Sequence, residues 1–136
     1  MKRVLISGGS RGIGRAIVEA FARNGDRVAF IYRTREEEAA KVAETFGAVA
    51  IKADVSDPVE VRRAITEAEA ALGGSINVLV NNAAISWIGQ MQDMSDTEWR
   101  NILDTNLSGA FYLSRGVVSS MVRNRYGRII NIGSCS

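Results

Sequence analysis

The 136-residue sequence predicts a doubly wound α/β domain: one parallel sheet with helices on both faces. Three observations predict it. Five short apolar runs are separated by segments with helical spacing of their apolar residues. Those runs lack a regular polar face, as strands do when they are covered on both sides. A glycine-rich turn joins the first run to the first helical segment, as expected where a strand feeds a right-handed crossover helix.

The elements follow in order. Strands are expected at residues 4–6, 28–31, 48–51, 76–80 and 128–132. The first helix places Ile13, Ala16, Ile17, Ala20 and Phe21 on one stripe, the second Ala39, Val42, Ala43 and Phe46, and the third Val61, Ala64, Ile65, Ala68 and Leu72. Asp57-Pro58 reads as a capping carboxylate with proline at the first helical position, and Ser95 to Glu98 has capping-box spacing. Gly25-Asp26 and Gly73-Gly74 read as helix ends that turn into strands. The fourth crossover is long: a loop from Asn82 to Met94, then a helix reaching toward Gly127. Its stripe, Trp99, Ile102, Leu103, Leu107, Ala110 and Phe111, is expected to face the sheet with Asn106 buried among it. A loop of that length commonly carries function.

Composition narrows the chemistry. The chain is 46% hydrophobic and 24% charged, which suits one domain, residues 1–136, with its own core. A net charge of +2, spread in both signs along helix faces, gives no basic block for nucleic acid. No run approaches the roughly 20 apolar residues that span a bilayer, and a cytoplasmic location without membrane contact is expected. With no histidine and a single cysteine, Cys135, a histidine base, a histidine-ligated metal and an internal disulfide are all excluded, and no metal site is expected.

The turn Ser7-Gly8-Gly9-Ser10-Arg11-Gly12-Ile13-Gly14 follows the first strand and opens the first helix, the context a dinucleotide phosphate turn requires. Glycines there permit positive φ, let backbone N–H groups approach a pyrophosphate and let the helix pack closely on the strand. The helix dipole then faces the phosphates. Taken alone, the same glycines would serve a plain strand-to-helix connection. The second strand ends Ile31-Tyr32-Arg33-Thr34-Arg35, where an NAD site would carry a carboxylate for the ribose hydroxyls. Arg33, with Arg11 from the turn, suits a 2′-phosphate and hence NADP, although arginines at a helix start are often only solvated charges.

The spacing G-x-x-x-G-x-G, preceded by Ser7, resembles the phosphate turn of the short-chain dehydrogenase/reductase family, with serine where the family has threonine. The resemblance runs through the whole chain and is strongest to the 3-oxoacyl-[acyl-carrier-protein] reductases. It implies a Rossmann-type sheet of strand order 3-2-1-4-5 whose last strands are missing here. It implies that Ser7, Gly8, Ser10, Arg11, Gly12, Ile13, Gly14 and Arg33 hold NADP(H), with Asp54-Val55 beside the adenine. Asn81-Asn82-Ala83-Ala84 looks like the family's N-N-A-G motif with alanine for glycine, so Asn82, Ala83 and Ala84 border the nicotinamide ribose. On residues alone, those four are equally a strand-ending turn. Asn106 falls at the family's active-site asparagine, which holds a water of the proton relay, and Ser134 at its catalytic serine.

The family's proton donor is a tyrosine with lysine four residues on. Tyr32, Tyr112 and Tyr126 are followed at that distance by Glu36, Gly116 and Ile130. The expectation is therefore a fragment of a longer reductase, scarcely active as it stands, with strand five left as a bare apolar edge. The implied reaction is hydride transfer between NADPH and a carbonyl or secondary alcohol. Its substrate is a small carbonyl compound or an acyl-carrier-protein thioester, and the longer enzyme is expected to be a homo-oligomer. The rival is a non-catalytic NADP-binding module or sensor; a sugar-nucleotide epimerase would need different glycine spacing.

Overall fold

The computed structural model describes residues 1–135. Five parallel strands, β1 (Arg3–Ser7), β2 (Arg27–Tyr32), β3 (Val49–Lys52), β4 (Val78–Asn81) and β5 (Arg128–Asn131), form one sheet in the order β3-β2-β1-β4-β5. The order is the expected one. β1 lies between β2, with Leu5 opposite Ala29, and β4, with Leu5 opposite Leu79. The chain leaves β1 toward one side and later returns to its other side, so the sheet's switch point lies between β1 and β4.

Side-chain alternation splits the interior into two cores. Leu5, Ala29, Ile31, Ile51 and Leu79 face α3 (Pro58–Leu72) and α5 (Gly109–Arg123). Val4, Ile6, Val28, Phe30, Val78 and Val80 face α1 (Gly12–Arg23) and α2 (Glu36–Phe46). All five stripe positions predicted for α3 are buried. Removing Val61, Ile65 and Leu72 from water contributes about 1.5–3 kcal/mol each. The helix ends also follow the sequence. Asp57 accepts from the Val59 amide at 2.9 Å with Pro58 next to it, and Gly73 closes α3 at φ +80°.

Two helix faces differ from expectation. On α1 the inward side is Gly14 and Val18, with Ile17, Phe21 and Ala22 packed beside them; Ala16 and Ala20 are exposed and Ile13 is 64% exposed. Close contact at Gly14 rotates the helix by one position from the all-apolar stripe.

The second difference is larger. α4 (Asp96–Ile102) runs through a π-helical turn, Leu103–Ser108, into α5. The buried residues are Thr105, Gly109, Leu113, Val117, Ser120 and Met121, while Trp99, Leu107 and Phe111 are more than half exposed. Asn106 is exposed as well. The inward face is the one with small residues: a Cβ on Gly116 would collide with Ile65, and one on Gly109 would press on Val55. Close packing against α3 and the β3–α3 loop selects that face over the more apolar one. β5 forms the edge of the sheet, and Ile129 and Ile130 are 38% and 41% exposed.

Candidate functional site

Because all five strands run parallel, their carboxyl ends share one edge, and the loops leaving β1, β2, β3 and β4 enclose a cleft of about 550 Å³ there. From the glycine turn it is lined by Gly8, Ser10, Arg11, Gly12, Ile13 and Gly14. Arg33 lines it after β2, Asp54 and Val55 after β3, and Asn82, Ala83 and Ala84 after β4. Of the residues expected to hold cofactor, only Ser7 is outside the lining.

Ser7 is 1% exposed, and its hydroxyl accepts from the Asn82 and Ala83 amides at 2.9 Å each. It fastens the end of β1 to that of β4 and faces the interior, holding in place the two loops that line the cleft. The Asn82 amide group completes the junction by donating to the Gly8 carbonyl at 3.0 Å. Phosphate turn and β4 loop are thus one hydrogen-bonded unit.

The turn itself requires glycine at defined positions. Gly8 and Gly12 have φ of +73° and +56°, in the left-handed region. A Cβ on Gly14 would fall on the Gly8 carbonyl oxygen. Beside Gly12 a Cβ would meet nothing, so the backbone there borders open cleft. The first turn of α1 carries no acidic residue, and Arg11 at its N-cap makes no side-chain cap. Open amides at the positive end of a 12-residue helix make a cradle for an anion. The arrangement fits a dinucleotide pyrophosphate.

The cations around the cleft are not equivalent. Arg15 stacks on the Phe46 ring, 5.3 Å to its centroid, on the outer side of α1. Arg35 donates through a terminal nitrogen to Glu38 at 3.0 Å, within the first turn of α2. Arg33 approaches Asp54 through Nε, 3.8 Å from Oδ2. Arg11 has no ion-pair partner among the described residues. Burial pushes the Asp54 carboxyl up, but hydrogen bonds from the Ser56 hydroxyl and amide, at 2.7 and 3.0 Å, together with the Arg33 charge outweigh it. Asp54 is consequently held below its ordinary value and stays ionised.

Asn106 sits in the π turn, and its side chain reaches Ile85: Oδ1 accepts from the Ile85 amide and Nδ2 donates to the Ile85 carbonyl, both at 2.8 Å. This pairing ties the long helix to the loop after β4. Ser134 follows β5 at the same edge of the sheet, exposed and outside the cleft lining. Sequence reading did not assign Ile31, Tyr32, Thr34, Arg35, Ala53, Ile85 and Thr105 to the lining. Tyr32 and Ala53 could have been found from position alone, at the carboxyl ends of β2 and β3, whose loops border the cleft. Thr105 carried no such signal.

A doubly wound sheet with an anion cradle at its switch point defines a nucleotide-binding protein of Rossmann type. More narrowly, the chain belongs to the short chain dehydrogenase family, whose model matches residues 2–136. It is 39% identical over 135 residues to the 3-oxoacyl-[acyl-carrier-protein] reductase FabG of Escherichia coli, covering 98% of this chain and 54% of the relative. The Staphylococcus aureus reductase of the same name is 40% identical over 138 residues, covering 98% and 56%. The chain therefore spans about half the length of these relatives. Among solved structures, a Serratia marcescens short-chain dehydrogenase/reductase variant superposes with a TM-score of 0.89 at 33% identity. A Burkholderia cenocepacia short chain dehydrogenase in complex with NADP does so at 0.89 and 36%. Each comparison covers 98% of this chain and 56% of the other.

Proposed function

We propose that residues 1–136 form one NADP(H)-binding domain of an oxidoreductase that moves hydride between NADPH and a carbonyl or secondary alcohol. The observation that carries this reading is the convergence of the glycine turn, Arg11, Arg33, Asp54 and the Asn82–Ala84 segment on one cleft at the switch point. Gly8, Ser10, Gly12, Ile13 and Gly14 cradle the pyrophosphate, and Arg11 and Arg33 take the 2′-phosphate. Asp54 and Val55 border the adenine; Asn82, Ala83 and Ala84 border the nicotinamide ribose. When bound, NADPH supplies the hydride. Ser134 donates a hydrogen bond to the substrate carbonyl oxygen, easing the build-up of negative charge there. Asn106 fixes the loop beside the nicotinamide through Ile85, and each of its amide atoms keeps a second hydrogen-bonding site for the water of the proton relay.

The likeness to 3-oxoacyl-[acyl-carrier-protein] reductases supports a 3-oxoacyl thioester, carried on acyl carrier protein, as substrate of the longer protein. The exposed stripe Leu107, Phe111, Val118 and Val122 supports pairing between copies.

NADPH and NADH titrations followed by nicotinamide fluorescence test the reading. Arg33→Asp is expected to weaken NADPH binding roughly 10- to 100-fold, the worth of a lost charge-assisted hydrogen bond, and NADH binding far less. An unchanged preference removes Arg33 from the site. NADPH oxidation with an added ketone, measured on the longer protein, separates the enzyme from the alternative, an NADP-binding module that binds without turnover.

A further inference from the structure

Asp54 and Arg33 stand on neighbouring walls of the cleft, one after β3 and the other after β2. Their pairing is directional. Arg33 meets Asp54 through Nε at an ion-pair distance of 3.8 Å, and its two terminal nitrogens make no hydrogen bond among the described residues. Arg35 is the reverse case, with a terminal nitrogen already spent on Glu38. A guanidinium held at Nε keeps its terminal edge free, and that edge can grip a phosphate with two parallel hydrogen bonds. Asp54 is itself fixed, because the Ser56 hydroxyl and amide both donate to Oδ1 and leave Oδ2 turned to Arg33.

We infer that Asp54 is a positioning residue for cofactor choice: its carboxylate holds the Arg33 guanidinium by Nε so that the terminal edge presents to the 2′-phosphate. The inference rests on the NADP(H) reading above and adds to it a second role for a residue there given only to the adenine. It also opposes a simpler electrostatic expectation, in which a carboxylate near a phosphate site disfavours NADPH by like-charge repulsion. Side-chain exposures of 61% for Arg33 and 30% for Asp54 make the pair a partly solvated one, so its effect is modest.

The test measures dissociation constants of NADPH and NADH for the whole chain and four variants, Asp54→Asn, Ser56→Ala, Arg33→Ala and the double variant of Asp54→Asn with Arg33→Ala, with circular dichroism to confirm folding. Asp54→Asn keeps an acceptor for Ser56 and removes the charge that holds Nε. It is expected to lower the NADPH-over-NADH preference about threefold to fivefold, the scale of a partly exposed ion pair, and to have no such effect in an Arg33→Ala background. Ser56→Ala leaves the carboxylate charge in place but loosens it, and should lower the preference in the same direction by less. This variant also serves if Asp54→Asn does not fold. An equal weakening of both cofactors by Asp54→Asn, an effect that persists without Arg33, or a gain in NADPH preference overturns the positioning role while leaving the cofactor reading intact. Absence of NADPH binding by the unmodified chain overturns both.

Discussion

Ser7 joins two strands with one oxygen atom. Its hydroxyl is the acceptor for two amides at the start of the β4 loop, inside a buried junction. Ser7→Ala strands both donors, and a buried unsatisfied group costs about 1–3 kcal/mol. The urea midpoint should fall accordingly, with Ser7→Thr recovering most of the loss because it restores the oxygen. Asp54 gives the matching case for a charge. Its folded pKa lies below the ordinary 3.8, so its contribution to stability is complete above that value and is lost as pH falls through the lower folded one. Melting temperatures of the unmodified chain and Asp54→Asn should therefore differ by a constant amount near neutrality and converge in acid. A gap that widens on acidification refutes the sign. Both residues were singled out from sequence, and both were given contacts with a ligand. Which way a hydroxyl or carboxylate faces depends on the strand beside it, and that partner is 75 residues away for Ser7.

At the scale of elements, legibility depended on whether one face or two were apolar. α3 has a single apolar stripe and its orientation followed directly. The long helix has apolar residues all round, so hydrophobicity could not choose between them. Gly109 and Gly116 made the choice, because they let α5 approach Val55 and Ile65 closely. Small residues on a helix are a signal of close approach that an apolar stripe conceals. The π turn is harder to read, since it adds no composition of its own; its position coincides with the Asn106 amide reaching for Ile85. Asn106→Leu removes both hydrogen bonds, and a net cost of about 1 kcal/mol is expected. The loop from Ile85 to Met94 should then open more often, and chymotrypsin should cut after Trp87 faster than in the unmodified chain. Equal cleavage rates would show that the loop is held by something other than Asn106.

For the whole molecule, crossover direction was legible because the rule that governs it is nearly without exception for parallel sheets, and the strand order came with the family resemblance. The cleft was legible with it, since strand order fixes where the switch point lies. The bare edge at β5 was legible too, and it leaves the sheet unevenly protected. β1 is flanked on both sides and covered on both faces, with Val4, Leu5 and Ile6 at 0% exposure, whereas β5 has one neighbour and all of its residues exposed. Opening free energies therefore differ greatly across one continuous sheet. Amide hydrogen exchange should be slowest at residues 4–6 and fastest, among the strands, at 129–131. The phosphate cradle grows from the slow end of that gradient and Ser134 from the fast end. In exchange kinetics the two parts of the proposed site will behave as separate bodies: the anion-binding turn keeps its shape through fluctuations that repeatedly expose the segment leading to the serine.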